Sequence, residues 1–146
     1  MSAVPARLSI VTLGVEDLGR SIAFYEALGW ERRASSVPGV IAWFAVGSCY
    51  LGLFPREELA ADVAIVDPGP PPRFGGVTLA MNVESDAAVE AALAAAFEAG
   101  ATILKPAEMA IFGGLSGYFA DPDGHPWEVA HNPEFPLDAE GRITIP

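Results

Sequence analysis

Cysteine is nearly absent from this sequence: Cys49 stands alone, so no intrachain disulfide can form, and nothing beside it suggests an activated thiolate. A small buried residue is the role expected of it. Histidine is almost as scarce, with only His125 and His131, which leaves few imidazoles for a metal centre. Cations are few as well: 8 Lys and Arg stand against 19 Asp and Glu, a formal charge of −11. Such a surface repels nucleic acid and anionic membranes and favours neutral or cationic partners. No apolar run is long enough to span a bilayer. The opening stretch MSAVPARLSIVTLGVED lacks the charged start, long apolar centre and small-residue cleavage site of a signal peptide, so a cytoplasmic location is expected. Also missing are a phosphate-binding glycine loop, a metal-binding helix motif and a serine nucleophile elbow.

What the sequence does have is apolar mass. At 146 residues and 51% hydrophobic, with three Trp and eight Phe, it fits one domain with a well-filled core. From Leu8, LSIVTLGV reads as a buried strand, and Asp17 is a good N-cap for a helix whose apolar positions are Leu18, Ile22, Tyr25 and Leu28. Gly29 supplies the residue that ends the helix, with Trp30 folding back on its last turn. The second half repeats this order. GVTLAMNV is a strand, Ser85 an N-cap, Val89, Leu93 and Phe97 a helical stripe, and Gly100 the stop. Val15 therefore aligns with Val83 and Gly29 with Gly100, an internal repeat with one short insertion. Strand-like material follows each helix: VIAWFAVGSCYLGLF in the first half, ATILKP and GLSGYFADPDGHPWEVAH in the second. Between the halves, REELAADVAIVDPGPPPRFGG carries Pro68, Pro70, Pro71 and Pro72, reads as a linker, and has in PGPPP a stiff connector.

The segment DPDGHPWEVAH gathers acids and both histidines, yet its local grammar is that of a hairpin. Asp-Pro opens a turn and Asp-Gly closes one. GYFA is then the incoming strand and PWEVAH the outgoing one. Alternation puts Glu128 with Ala130 on one face and Trp127, Val129 and His131 on the other, so Glu128 and His131 should not converge.

A duplicated pattern of strand, helix and three strands, carried by VTLGVEDLGRSIAFYEALGW, by GVTLAMNVESDAAVEAALAAAFEAGATILKP and by GYFADPDGHPWEVAHNP, resembles the vicinal oxygen chelate family, with glyoxalase I, extradiol dioxygenases and bleomycin-resistance proteins. The resemblance implies an α+β fold in which paired βαβββ modules form a cup-shaped, partly closed mixed sheet with helices outside. Within a single domain, module one spans about residues 7–66, the linker about 67–75, module two about 76–133 and a C-terminal tail 134–146.

In metal-using relatives, ligands come from the first and last strands of each module. Carried onto this chain, those positions hold Ile10, Gly52, Thr78 and Glu128. Only Glu128 is a ligand type of the family, whereas catalytic zinc needs about three protein ligands and a non-haem iron triad two His and a carboxylate. No metal or other cofactor is expected; the alternative is a divalent metal at a degenerate site including Glu128. His125 reads as a turn residue and His131 as an edge or interface residue.

A cavity-facing Glu128 among Ile10, Ala80 and Ala130 would be partly desolvated. It would then suit acid–base chemistry or bind a ligand ammonium or hydroxyl; equally, it could be hydrogen-bonded across the floor to Thr12 or Thr78. Most of Trp43, Phe44, Tyr50, Phe54, Phe112, Tyr118 and Trp127 should fill core. Tyr50 and Phe54 share the face of Gly52 and are candidate walls, with Asn82 and Asn132 as polar groups at the rim. Gly113, Gly114 and Gly117 make a pliable segment before the last hairpin. The expected function is binding of a small, neutral or cationic, partly aromatic molecule in an acidic aromatic cup, by a homodimer. The alternative is a lyase, isomerase or dioxygenase with Glu128 as its catalytic residue.

Overall fold

The computed structural model describes residues 3–146 and builds the duplicated pattern as two mixed sheets with three helices. In the first half, β1 (Ile10–Val15) leads into α1 (Leu18–Ala27), then β2 (Ala42–Val46) and β3 (Cys49–Pro55). The sheet order is β1-β3-β2, with β1 parallel and β2 antiparallel to β3. Where a further strand would lie beyond β2, the chain makes one isolated bridge, Arg32 to Phe44. Next comes α2 (Arg56–Asp62), inside a stretch expected to be linker. Its residues, REELAAD, are good helix formers and the prolines begin only at Pro68, so nothing prevents the turn from winding. In the second half, β4 (Leu79–Asn82), α3 (Asp86–Glu98), β5 (Thr102–Met109), β6 (Leu115–Ala120) and β7 (Pro126–Ala130) give the order β4-β7-β6-β5. The two sheets do not close on one another.

The helix ends follow the expected chemistry in both halves. Asp17 accepts from the Arg20 N–H at 2.9 Å, and the Ser85 hydroxyl oxygen from the Ala88 N–H at 3.1 Å. Gly29 and Gly100 each take a positive φ, +90° and +104°, and return the chain toward the core. Trp30 folds back as its spacing suggests, its N–H donating to the Tyr25 carbonyl. The expected linker is tied down by Arg56, whose guanidinium donates to the carbonyls of Gly69 and Pro68. Cys49 differs from expectation: it is half-buried, its thiol 3.6 Å from the Val46 carbonyl beside the β2–β3 turn.

One core serves both halves. Phe24 and Tyr25 of α1 touch Phe44 on the first sheet and Phe119 and Trp127 on the second, with ring centroids 5.9–6.3 Å apart. Each such side chain contributes roughly 1.5–3 kcal/mol by leaving water. A polar clamp runs through this apolar cluster. The buried Tyr25 hydroxyl donates to Asp121 at 2.6 Å and accepts from the Trp127 indole at 3.0 Å. Burial, then the neighbouring Asp121 carboxylate, pushes the Tyr25 phenol far up, so it remains a neutral donor. Asp121 also accepts the N–H groups of Asp123 and His125, and Asp123 accepts from the Glu16 N–H and the Ser21 hydroxyl. The DPDGH segment is thus a turn that feeds β7 and docks module two onto module one.

Candidate functional site

Strand alternation decides which residues look away from the core. Leu13 and Val15 of β1, Ala42 and Phe44 of β2, and Leu51 and Leu53 of β3 are all buried against the helices. The opposite face of the first sheet therefore carries Ile10 and Thr12, Trp43, and Tyr50, Gly52 and Phe54. Register brings Thr12, Gly52 and Trp43 into one row and Ile10 and Tyr50 into the next. A cavity of about 320 Å³ opens here, lined by Ile10, Arg33, Ser35, Trp43 and Tyr50. Phe54 shares the face but lies at the far end, opposite Gly14.

Gly52 is where the resemblance places a metal-binding carboxylate. A Cβ added there would stand 2.7 Å from Trp43 Cζ3 and 3.1 Å from the Thr12 hydroxyl oxygen. The indole thus occupies the space into which a side chain at this position would grow.

Glu128 sits on the other sheet. Its neighbours on the open face are Ala80 of β4 and Tyr118 of β6, and the Tyr118 hydroxyl donates to its Oε2 at 2.5 Å. This bond, then burial and the Glu128 charge, pushes the Tyr118 phenol up, so the phenol stays a neutral donor at neutral pH. The partner of Glu128 is therefore Tyr118, and neither of Thr12 and Thr78, which the sequence left open as alternatives. Thr12 belongs to the first sheet, and Thr78 is exposed just before β4. Asn82 is half-buried opposite Ala130, and Asn132 accepts from the Glu134 N–H in the turn after β7. None of Thr78, Asn82, Glu128 and Asn132 lines the first-sheet cavity.

Both histidines hold structure together. His125 reaches the Gly14 carbonyl at 2.9 Å, bridging the halves, and His131 Nδ1 lies 2.7 Å from Asp86 Oδ1 at the start of α3. That contact, with the Leu115 N–H, holds the Asp86 carboxyl below its ordinary value. The donor set does not fit the metal that the resemblance implies. Ile10 and Gly52 offer no donor, Thr78 only a hydroxyl, and no three His, Cys, Asp or Glu among the described residues stand close enough to hold an ion.

Trp43, Arg33, Ser35 and the Tyr118 pairing were not legible as site features. Trp43 was within reach: Ala42 and Phe44 both face inward, so the residue between them must face out. Arg33 had no such signal, because its direction depends on a single bridge.

The fold has close counterparts. A glyoxalase-related enzyme from Fulvimarina pelagi is 34% identical over 97% of this chain and 99% of its own, with a TM-score of 0.86. Lactoylglutathione lyase from Agrobacterium tumefaciens is 26% identical over 87% of this chain and 94% of its own, TM-score 0.64. A glyoxalase/bleomycin resistance protein/dioxygenase family enzyme from Burkholderia phytofirmans PsJN shares the fold at 20% identity, covering 87% and 99% of the two chains, TM-score 0.78. No curated protein sequence matches. The family model described as Glyoxalase/Bleomycin resistance protein/Dioxygenase superfamily matches residues 7–129. With that match spanning most of its length, the chain belongs to the glyoxalase/bleomycin resistance protein/dioxygenase superfamily.

Proposed function

We propose that this chain is a small-molecule binding protein that seats a partly aromatic ligand against Trp43 and Tyr50 and works without the family's metal. The observation that carries this reading is the first-sheet cavity, where an indole, a phenol and Ile10 make an apolar wall beside the polar groups of Arg33 and Ser35. The Trp43 indole at Gly52 supports a metal-free site, since it stands where a ligand side chain would have to grow. On the second sheet, Glu128 suits a neutral or cationic group, which the net charge of −11 also favours.

The open faces of two unclosed sheets support a homodimer, in which a second copy would cover apolar surface that each chain leaves exposed. Light scattering that gives a monomer mass across micromolar concentrations would refute the dimer. A cytoplasmic location fits the single free thiol.

A second reading is an acid–base enzyme. It is favoured by the 2.5 Å contact of Tyr118 and Glu128, a proton donor and a carboxylate already in hydrogen-bond reach. One experiment separates the two. Compounds that raise the melting temperature are titrated calorimetrically into wild type, Trp43→Leu and Glu128→Gln, with metal analysis of protein purified without chelator. The binding reading expects Trp43-dependent affinity and no stoichiometric transition metal. Turnover of a bound compound that Glu128→Gln abolishes, with affinity retained, would put the enzyme in its place. One tightly held equivalent of iron, zinc, nickel or manganese that depends on Glu128 would refute the metal-free site.

A further inference from the structure

We infer that the first-sheet cavity selects a planar aromatic carboxylate, with the ring on Trp43 and Tyr50 and the carboxylate on the Arg33 guanidinium and the Ser35 hydroxyl. The inference rests on the binding reading above and adds a charge preference for this cavity, separate from that of Glu128 on the second sheet.

Arg33 is aimed at the cavity by its neighbours. Arg32 bridges Phe44, whose side chain faces the core, and the Arg32 guanidinium turns back to Glu26 of α1 at 3.2 Å. Alternation then sends Arg33 to the opposite, open face. Its backbone is pinned to the wall residue itself: the Arg33 N–H donates to the Trp43 carbonyl at 2.7 Å, and the Trp43 N–H donates to the Ser36 hydroxyl oxygen at 3.0 Å. The Ser36 N–H closes a turn onto the Arg33 carbonyl at 3.0 Å, which leaves Ser35 at its tip beside the cavity. The backbone positions that carry Arg33, Ser35 and Trp43 are thus set relative to one another by hydrogen bonds before any ligand arrives.

Arg33 is also unengaged. Of the 8 basic residues, Arg20, Arg32, Lys105 and Arg142 pair with acids and Arg56 with backbone carbonyls, whereas Arg33 shares with Arg7 and Arg73 the lack of an acidic partner among the described residues and alone of these three lines the cavity. Among the described residues the Arg33 guanidinium has neither an ion pair nor a hydrogen bond, although Arg is always charged at neutral pH. No carboxylate lines the cavity. The overall charge of −11 opposes an anion only at long range, because charges beyond about 8 Å are largely screened at physiological salt. Within contact distance the planar fork of Arg33 dominates, and it matches a carboxylate with two parallel hydrogen bonds. An aromatic cation would keep the ring contacts but meet a like charge.

The test uses three probes of one shape, 2-naphthoate, 2-naphthamide and 2-naphthylmethylammonium, titrated calorimetrically into wild type, Arg33→Gln and Trp43→Leu. Arg33 is exposed and unpaired, so Arg33→Gln should fold as wild type does. Naphthoate should bind more tightly than the amide and the ammonium compound more weakly than either. Arg33→Gln should weaken naphthoate about tenfold, the size of one charge-assisted hydrogen bond, and leave the amide unchanged. Raising the salt concentration should weaken naphthoate alone. If the amide or ammonium compound binds in a Trp43-dependent way as tightly as naphthoate, or if Arg33→Gln leaves naphthoate affinity unchanged, the carboxylate inference is overturned and the binding reading stands. If no probe shows binding that depends on Trp43, both fall.

Discussion

Replacing Gly52 with alanine tests the idea that Trp43 has taken over the family's ligand position. In a strand, Gly→Ala ordinarily stabilises, by roughly 0.5–1 kcal/mol, because glycine loses more backbone freedom on folding. Here the added methyl would stand 2.7 Å from Trp43 Cζ3 and 3.1 Å from the Thr12 hydroxyl. Overpacking of this kind costs about 1–3 kcal/mol. Trp43 is half-buried and sits between the fully buried Ala42 and Phe44, so its backbone cannot yield and the ring must tilt. The overpacking should win, giving a net loss of about 0.5–2 kcal/mol. Urea unfolding of wild type, Gly52→Ala, Trp43→Leu and the double variant measures this as a cycle. The Gly52→Ala cost should vanish or change sign once Trp43 is leucine. Near-ultraviolet dichroism should report the displaced indole in the single variant. A stabilised Gly52→Ala protein with an unchanged indole signal would refute the packing argument, and with it the claim that the indole blocks this position.

Tyr25→Phe removes the donor to buried Asp121 and the acceptor for the Trp127 indole, and should cost about 3 kcal/mol, or about 6–12 °C in Tm; a loss below about 1 kcal/mol would show that the clamp does not join the halves. Asp86 should set part of the acid limb of stability. Its carboxyl lies below the ordinary value of 3.8 in the folded chain, so its stabilisation is present above that value and lost as pH falls through the lower folded one. Asp86→Asn should flatten this part of the profile in chemical unfolding run between pH 5 and pH 2, and an unchanged limb would count against the His131 contact. Glu128→Gln should bring the Tyr118 phenol down toward its ordinary value near 10 in an ultraviolet titration, since the Glu128 bond and charge are two of the causes that raise it. An unchanged Tyr118 titration would mean that the pair is not formed in solution.

The sequence alone determined what depends on near neighbours. Capping by Asp17 and Ser85, the stops at Gly29 and Gly100 and the hairpin turn at Asp121–Gly124 all follow from residues within a few positions of each other, where side-chain chemistry and φ preference suffice. Because the same local signals recur in order, the duplication was readable from them, and the α+β architecture is what the family resemblance they carry implied. The face shared by Tyr50 and Gly52 was readable too, since alternation is also local. Only the tertiary structure decided the rest. The Trp43 indole over Gly52 needs the β2–β3 register, and the Tyr118–Glu128 pair needs two strands laid side by side. The direction of Arg33 hangs on one isolated bridge, Arg32 to Phe44, between residues twelve positions apart. That Ile10 and Gly52 lie on one sheet and Glu128 on another follows from strands that pair only within their own half. Docking here runs through Tyr25, Asp121 and Asp123, residues some hundred positions apart along the chain, and contacts at that separation leave no periodic trace in the sequence.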